Sequence, residues 1–403
     1  MPTKAISFLG YTKANQPYRE TIYTYRGDEC TTPFMAEATA HFFRGQIEAL
    51  LVLVTKEAQQ QNFADLERRF TGSLKPTPIS ISSGTNEEQL WKIFAVISEQ
   101  IMPGDTIIFD ITNGFRSLPV LALLATSYLR VVRGATVSHM VYGAYDASKD
   151  GKTPVFELTP FLSLLDWTTA TDAFLKYGRA DDLTQLVQAH SDYTKLGDTL
   201  KKLTAALQTS RPSEVMETAS RLHTEIAQSR QATSAAAQPF GLLLDRIAAE
   251  YTPLGMTDAV ENVLARDILL KQHEMIQWYV GKGLYVQAIT LAREWLVSWV
   301  IAHQPAGDIF DKTTRDYADA AINGYREATI SGRRGKERQP VPPAMYQVAQ
   351  TPLVQQLWNK TRDLRNDLGH TGMRKDPRTA LKVESEVREA CGQLHQLLSI
   401  ATS

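Results

Sequence analysis

Only two cysteines occur in the 403 residues, Cys30 and Cys391, at opposite ends of the chain and in no CxxC or Cys/His spacing. That excludes a disulfide framework and a structural zinc site of the usual kind, so no metal is expected and a reducing compartment is indicated. An excess of charge of one sign is missing too: 43 Lys and Arg stand against 44 Asp and Glu, for a formal net charge of -1. Proteins that coat nucleic acid through long-range attraction carry a strong basic excess, so any nucleic-acid contact here must be local. Long hydrophobic runs are lacking: the longest, Leu118 to Val132, is interrupted by Ser127 and Arg130 and falls short of a bilayer span. The N-terminal MPTKAISFLGYTK has too short an apolar stretch for a secretory signal. Together these absences lead to the expectation of a cytoplasmic protein with no membrane partner. Neither the glycine fingerprint of a dinucleotide site nor a Walker P-loop is found, so no cofactor of those kinds is indicated.

What is present suggests two cores. With 43% hydrophobic and 22% charged residues, the chain is long for one domain and ordinary for two. Up to about residue 160, short apolar runs alternate with amphipathic helical stretches, the pattern of βαβ units. AISFLG at residues 5–10, ALLVLVT at 49–55 and DTIIFDI at 105–111 read as buried strands, with a further short strand at Pro78 to Ser82 and another at Val137 to Tyr142. Helical periodicity marks Pro33 to Phe43, Asn86 to Gln100 and Leu118 to Val132. After Asp166 the strand signal disappears, and the rest reads as helical throughout. SGRRGKERQPVPP, residues 331–343, reads there as an exposed basic loop. Trp295, Trp299 and Trp358 lie in apolar periodic stretches and are expected in a core rather than stacked on bases.

Two segments have the residue types for chemistry. The first is FDITNGFRSLP, residues 109–119, a strand running through a loop into a helix. In open parallel sheets ligands bind beyond the carboxyl ends of strands, where helix N-termini and glycine backbone face them. Asp110, Thr112, Asn113, Gly114 and Arg116 therefore stand where a polar ligand would sit. Two more loops, Gly10-Tyr11-Thr12-Lys13 and Ser82-Ser83-Gly84-Thr85, could converge on the same crevice. An ordinary βα turn with an Asp at the strand end is the alternative.

The second segment is RDLRNDLGHTG, residues 362–372. Arginine offers a fixed fork of donors to phosphate, and histidine exchanges protons near neutral pH. Arg365 and His370 thus suit phosphodiester cleavage by the neighbouring ribose hydroxyl without a metal. Other Arg/His pairs occur at Arg133/His139, Arg266/His273 and Arg388/His395; polar Asn366 and small Gly369 and Gly372 favour this one. A helix C-terminal histidine facing the last carbonyls is the competing reading. Five residues along a helix turn through about 140°, so one helix makes a poor site, and two meeting across a two-fold axis make a better one. Arg333, Arg334, Lys336 and Arg338, with Arg374, Lys375 and Arg378, could lead single-stranded RNA toward it, or could be solvated surface charge.

SFLG near the N-terminus, DITNGFR, and RNDLGH near the C-terminus, in that order, resemble the CRISPR-associated ribonucleases that join a CARF sensor domain to a HEPN nuclease domain. The resemblance covers both ends of the chain; residues from about 166 to 266 match only in being helical. It implies a Rossmann-like α/β CARF domain over residues 1–160, followed by an all-α region over 161–403 whose HEPN part starts at about 266. It further implies a homodimer, or a higher oligomer, with no cofactor but an allosteric activator, cyclic tetra- or hexa-adenylate made by a type III CRISPR complex. Single-stranded RNA would be the substrate, cut to 2′,3′-cyclic phosphate ends. By the same resemblance Arg365 and His370 take the catalytic positions, with Asn366 beside them. Gly10, Tyr11, Thr12, Asp110, Thr112, Asn113, Gly114 and Arg116 fall in the ligand-site motifs, and Ser83 and Gly84 belong to the third loop of the crevice. Asn113 stands where the family motif usually has His, an amide able to hydrogen-bond a base or ribose but not to transfer a proton. Two other classes stay open: a ring nuclease acting on cyclic oligoadenylate in the CARF crevice, and a ligand-gated regulator binding nucleic acid without cutting it. The absence of a strand-like hairpin after residue 166 counts against a winged-helix version of the regulator.

Overall fold

Apolar residues on both faces of a strand need a layer on each side, and strand β1 (Thr3–Leu9) is buried from Ala5 to Leu9. In the computed structural model, which describes residues 2–12, 18–113, 118–189, 194–231, 238–256, 265–305, 307–332, 335–373 and 375–399, the chain divides into two compact units, Met1–Leu165 and Asp166–Ser403.

In the first unit β1 is followed by β2 (Thr21–Tyr25), β3 (Asp28–Thr32), α1 (Met35–Phe42) and β4 (Ala49–Val54). A short helix α2 (Lys56–Ala58) runs through a π-turn at Gln59–Phe63 into α3 (Ala64–Arg68). Then come β5 (Pro76–Ser80), α4 (Glu87–Glu99), β6 (Thr106–Asp110), α5 (Leu118–Arg133), β7 (Thr136–Gly143) and β8 (Lys152–Glu157). The sheet order is β3-β2-β8-β7-β6-β1-β4-β5, and β5, β4, β1, β6 and β7 are mutually parallel. The two-residue period of a strand sorts its side chains. Ile6, Phe8, Leu51, Leu53, Ile107 and Phe109 meet Ile93 and Ile97 of α4 and Ala122, Ala125 and Leu129 of α5. Ala5, Leu9, Leu50, Val52, Val54 and Ile108 meet Met35, Ala36 and Ala38 of α1 and Leu66 of α3 on the opposite face. The result is a three-layer α/β/α arrangement.

The second unit is mostly helical: α6 (Thr159–Tyr177), which starts just before it, α7 (Asp181–Gln188), α8 (Thr194–Gln208), α9 (Pro212–Gln231), α10 (Gln238–Tyr251), α11 (Ala265–Gly281), α12 (Tyr285–Ala302) and α13 (Lys312–Ile322). Two strands follow, β9 (Glu327–Gly332) and β10 (Gly335–Pro340), then α14 (Pro343–Ala349), α15 (Pro352–Gly369), α16 (Ala380–Gln393) and α17 (His395–Leu398). Trp295, Trp299 and Trp358 are buried in its core, with their indole N–H groups donating to the Leu269 and Leu397 carbonyls and to Asn323.

Strands β9 and β10 form an antiparallel ladder from Glu327↔Pro340 to Gly332↔Gly335. This corrects two expectations, a helical fold throughout after Asp166 and an exposed loop at 331–343. The hairpin escapes sequence reading because only Ala328 and Ile330 of β9 are buried, while Lys336, Glu337 and Arg338 of β10 are exposed. The argument against a winged-helix regulator drawn from a missing hairpin falls with it. No described helix is long and apolar enough to cross a membrane.

Among the described residues, a buried acid lies within the apolar interior of the sheet. Asp110, the last residue of β6, is fully buried, and its carboxylate accepts hydrogen bonds from Ser7 Oγ of β1 at 2.5 Å and from the Thr112 backbone N–H and Oγ1 at 2.9 and 2.5 Å. Thr112 Oγ1 in turn accepts from the Gly143 N–H of β7 at 2.8 Å. Gly143 must lack a side chain, since a Cβ there would lie 2.9 Å from the Tyr23 ring and 3.2 Å from Thr112 Cγ2.

Burial raises the Asp110 carboxyl above the ordinary carboxylate value despite these three donors. The unfolded chain releases the proton near pH 4, roughly the unperturbed value, and the folded chain only at higher pH. The stability this group contributes is therefore full below the unfolded value and is lost as pH rises through the folded one. Asp110→Asn keeps an acceptor for Thr112 and a donor for Ser7 but does not titrate, so its urea midpoint should gain on the wild type as pH rises above about 4, until the folded carboxyl has titrated. A constant gap, or one moving the other way, contradicts a raised Asp110.

Candidate functional site

The strand order reverses at β1: β4 and β5 lie on one side, and the chain returns to place β6 on the other. Ligands in open α/β sheets bind outside the carboxyl ends of strands at such a switch. A cavity of about 400 Å³ opens there. Leu9, Gly10 and Tyr11 line it from the end of β1, Leu53, Thr55 and Glu57 from β4, Ile81 and Ser83 from β5, and Asn113 from β6. The register explains the convergence, since Leu9 pairs with Val54 and Val54 with Ser80, so these strands end level with one another.

The three expected loops do meet, but not every candidate residue faces the cavity. Gly10, Tyr11, Ser83 and Asn113 line it, and Tyr11 is exposed. Asp110 and Thr112 lie beneath, tied into the contacts between β1, β6 and β7. Thr12 sits behind the β1 loop with Oγ1 3.4 Å from Asn62 Oδ1. Gly84 has φ +67, the left-handed region that glycine enters without strain, and a Cβ there would make ordinary contact with Ile93 and Leu90 of α4. Gly114 and Arg116 fall outside the described residues.

Several residues that shape the cavity carry no signal in the sequence. The Gly10 N–H donates to the Tyr18 hydroxyl at 2.9 Å, and the Asn62 amide donates to the Gly10 carbonyl at 2.9 Å, so the loop after β1 is held from both sides. Burial, opposed by the bond from Gly10, pushes the Tyr18 phenol up to about 12, so it keeps the proton that it donates to the Gly10 carbonyl at 3.3 Å. Asn62 lies in the π-turn between α2 and α3. Thr55 caps α2 by accepting the Ala58 N–H. On the β5 side the Gln89 side chain accepts from Ser83 Oγ and from the Thr85 N–H and Oγ1, fixing the loop at 82–85.

The second candidate segment closes α15. His370 is its C-cap, with its backbone N–H on the Asn366 carbonyl at 2.9 Å. After it Thr371 and Gly372 have φ of 52 and 71, which turns the chain sharply away from the helix axis. A cavity of about 300 Å³ beside this end is lined by Asp363, Asn366, Asp367, His370, Gly372, Met373 and Arg378. Asn366 and His370, four residues apart, share a helix face and so share the cavity. Arg365 is exposed and is not among the lining residues; its guanidinium lies 3.4 Å from Asn366 Oδ1. Within one chain, then, the structure brings Asn366 and His370 onto the cavity and sets Arg365 beside it, hydrogen-bonded to Asn366. Among the described residues the His370 ring makes no hydrogen bond, and no group of three or more His, Cys, Asp or Glu side chains could hold a metal.

Of the basic residues outside this pair, Lys336 and Arg338 are exposed on β10, while Arg333, Arg334 and Arg374 fall outside the described residues.

Comparison with known proteins places this geometry. Residues 4–146 match the family model of the CARF domain of the CRISPR system endoribonuclease Csx1. Residues 163–254 match the model of the second domain of the CRISPR-associated protein MJ1674. The CRISPR-associated protein MJ1674 of Methanocaldococcus jannaschii is 23% identical to the chain over 141 residues, a stretch that spans 34% of this chain and only 22% of that relative's length. Among solved structures, Enterococcus italicus Csm6 bound to cyclic hexa-2'-fluoro-hexa-dAMP aligns over 98% of this chain and 93% of that chain, with a TM-score of 0.45 and 11% identity. The unit that carries the sheet-end cavity thus matches the CARF domain of a CRISPR-associated endoribonuclease, and the segment after it matches a domain of a second CRISPR-associated protein.

Proposed function

We propose that this chain is an endoribonuclease of type III CRISPR defence, activated by a cyclic oligoadenylate in the sheet-end cavity and cutting single-stranded RNA without a metal at a HEPN site built on α15. One observation carries the reading: the cavity at the ends of β1, β4, β5 and β6 lies in a domain whose matching family model comes from an endoribonuclease. Tyr11 offers an exposed ring for a base to stack on, and Ser83 and Asn113 offer polar groups for ribose or base edges. Gly114 and Arg116 follow directly in the chain and complete the ligand set by resemblance.

At the second site the 2′-hydroxyl of the substrate attacks the adjacent phosphorus and the 5′-oxygen leaves, so a 2′,3′-cyclic phosphate forms. His370 handles the proton, Asn366 orients the phosphate, and Arg365 offsets the charge that develops on it. Because Arg365 does not line the cavity that holds His370 in its own chain, the site is completed by pairing two α15 helices in a homodimer. On α5 of the CARF domain, Val120, Leu124, Tyr128 and Val131 form an exposed apolar stripe, 46 to 86% accessible, which supports dimerisation through that domain. Activation is then a coupling free energy: the ring binds one dimer arrangement better than another and shifts the balance by that difference.

A second reading, a ligand-gated regulator that binds nucleic acid without cutting it, keeps one supporting feature, the β9–β10 hairpin following α12 and α13. Labelled RNA separates the two. Incubated in EDTA with cyclic tetra- or hexa-adenylate, the chain should cleave it to 2′,3′-cyclic phosphate ends; binding without product would favour the regulator, and loss of the ring in place of the RNA would favour a ring nuclease.

Three variants follow. His370→Ala should lower cleavage by a factor of about 10² or more while ring binding and dimerisation persist, and full activity would remove His370 from the mechanism. Asn113→Asp places a negative charge against the phosphates of the ring, so calorimetry should record affinity weakened by about tenfold or more, whereas unchanged affinity would move the ligand elsewhere. Leu124→Glu should yield a monomer by light scattering and lose activation; an active dimer would take the α5 stripe out of the interface.

A further inference from the structure

A further cavity, of about 230 Å³, opens within the helical unit between the α8–α9 turn, α11, α12 and the loop that leads into α13. It shares no lining residue with the cavity at the end of α15. Its charged wall is already satisfied. Arg315 of α13 donates Nη1 to Ser298 Oγ and to the Ile309 carbonyl, both at 2.9 Å, and Nη2 to Glu294 Oε2 at 2.7 Å. Arg293 takes the other Glu294 oxygen and donates to Asp319 at 2.7 Å. Two arginines and two acids therefore cancel, and the guanidinium on the cavity is turned toward protein. Phosphate recognition needs arginine or lysine donors that are not already engaged, so the chemistry here suits an uncharged group.

Two residues mark what that group is. Gln272 of α11 lines the cavity and is 6% exposed, and its side-chain amide makes no hydrogen bond among the described residues. Buried amides are nearly always paired, so one left open on a cavity wall is directed at what fills it. Phe310 lines the same cavity and is 42% exposed, which puts its ring at the mouth. The loop that carries the ring is fastened: the Phe310 N–H donates to Asp308 Oδ1 at 2.8 Å, and the Ile309 carbonyl accepts from Arg315. Gly307 packs so tightly on the end of α12 that a Cβ would stand 2.1 Å from the Ile301 carbonyl oxygen. An exposed aromatic ring on a fixed loop is a face for a flat ligand to stack on.

We propose that this cavity binds a single adenine base, stacked on Phe310, with its N6 amino group and N7 met by the Gln272 amide. A glutamine amide sets an acceptor beside a donor, which complements adenine; guanine shows two acceptors on the same edge and calls for an arginine or lysine, whereas Arg315 is engaged elsewhere. The volume is below the roughly 300 Å³ at which pockets for whole drug-sized ligands begin, so it takes one base and not a cyclic oligonucleotide. The base arrives on a free nucleoside or on single-stranded RNA, since both present the same edge.

The test is calorimetry on the full chain with probes that cannot be cut: adenosine, uridine, and 2′-O-methyl oligoadenylate and oligouridylate, which lack the attacking hydroxyl. Adenine probes also suit the sheet-end cavity, so Gln272→Leu and Phe310→Ala locate the binding. Each variant should weaken one adenine site per chain by about tenfold, with uridine probes bound less tightly throughout. Weakening with adenosine and oligoadenylate alike supports a site for the free nucleoside; weakening with oligoadenylate alone supports a base delivered on RNA. Adenine affinity unchanged in both variants means that the cavity holds water only and overturns the proposal, as does loss in only one variant or equal affinity for uridine. Leucine is close to glutamine in size and removes an unpaired amide, so ligand-free Gln272→Leu should keep or raise the urea midpoint. A lowered midpoint would show that the amide has a protein partner and would overturn the assignment, while Phe310→Ala, at an exposed ring, keeps the binding comparison open. Failure of the wild type to cut RNA would refute the nuclease reading and leave this binding test intact.

Discussion

A carboxyl group in the middle of an apolar sheet is tolerable only if both its oxygens find hydrogen-bond partners, and Asp110 finds them in part by joining segments that are far apart in sequence. Ser7 comes from β1, Thr112 from the turn after β6, and Gly143 from the end of β7 through the Thr112 hydroxyl. The Thr112 contacts are local, but those from Ser7 and Gly143 can form only when β1, β6 and β7 stand in their observed order. Because the network sits at the carboxyl end of β6, it also decides where the chain leaves the sheet, and so brings Asn113 beside Gly10. A Cβ at Gly10 would lie 3.5 Å from the Asn113 carbonyl, ordinary contact, which shows how closely the two loops run.

The two sites are built on different principles. The sheet-end cavity gathers the ends of four strands, and each loop is pinned by a side chain from elsewhere: Tyr18 and Asn62 on the loop after β1, Gln89 on the loop after β5. Rigid surroundings of this kind favour a site whose work is to recognise a shape. The end of α15 has fewer fastenings. There one helix face offers Asn366 and His370 to the cavity, while Arg365 stands outside its lining and hydrogen-bonds Asn366.

The strands at the centre of the sheet were the most legible elements. β1, β4 and β6 are buried on both faces, and such strands read as unbroken apolar runs. α4 and α5 were legible through their 3.6-residue periodicity. The edge of the sheet was not. β2, β3 and β8 are short and mix polar with apolar residues, since β8 has a Pro in its middle and β3 reads DECTT; β2 and its hairpin partner β3 join the sheet only where Ile22, Tyr23 and Thr24 pair with Lys152, Thr153 and Pro154 of β8, far away in sequence. The β9–β10 hairpin failed for a related reason: its inner face is two residues wide, and its outer strand, GKERQP, has the composition of a loop.

The sequence by itself determined the class of each half, the order of the motifs and the residue types that could do chemistry, because burial on two faces, helical period and motif spacing are local properties. Only the tertiary structure decided how those residues divide between facing a cavity and supporting it. Asp110 and Asn113 are three positions apart in one motif, yet one is sealed under the sheet and the other lines the crevice. Thr55, Glu57, Tyr18 and Asn62 enter the same site from stretches with no motif at all. Strand order and the reversal at β1 bring them there, and strand order arises from non-local pairing between segments whose separation along the chain leaves no local mark.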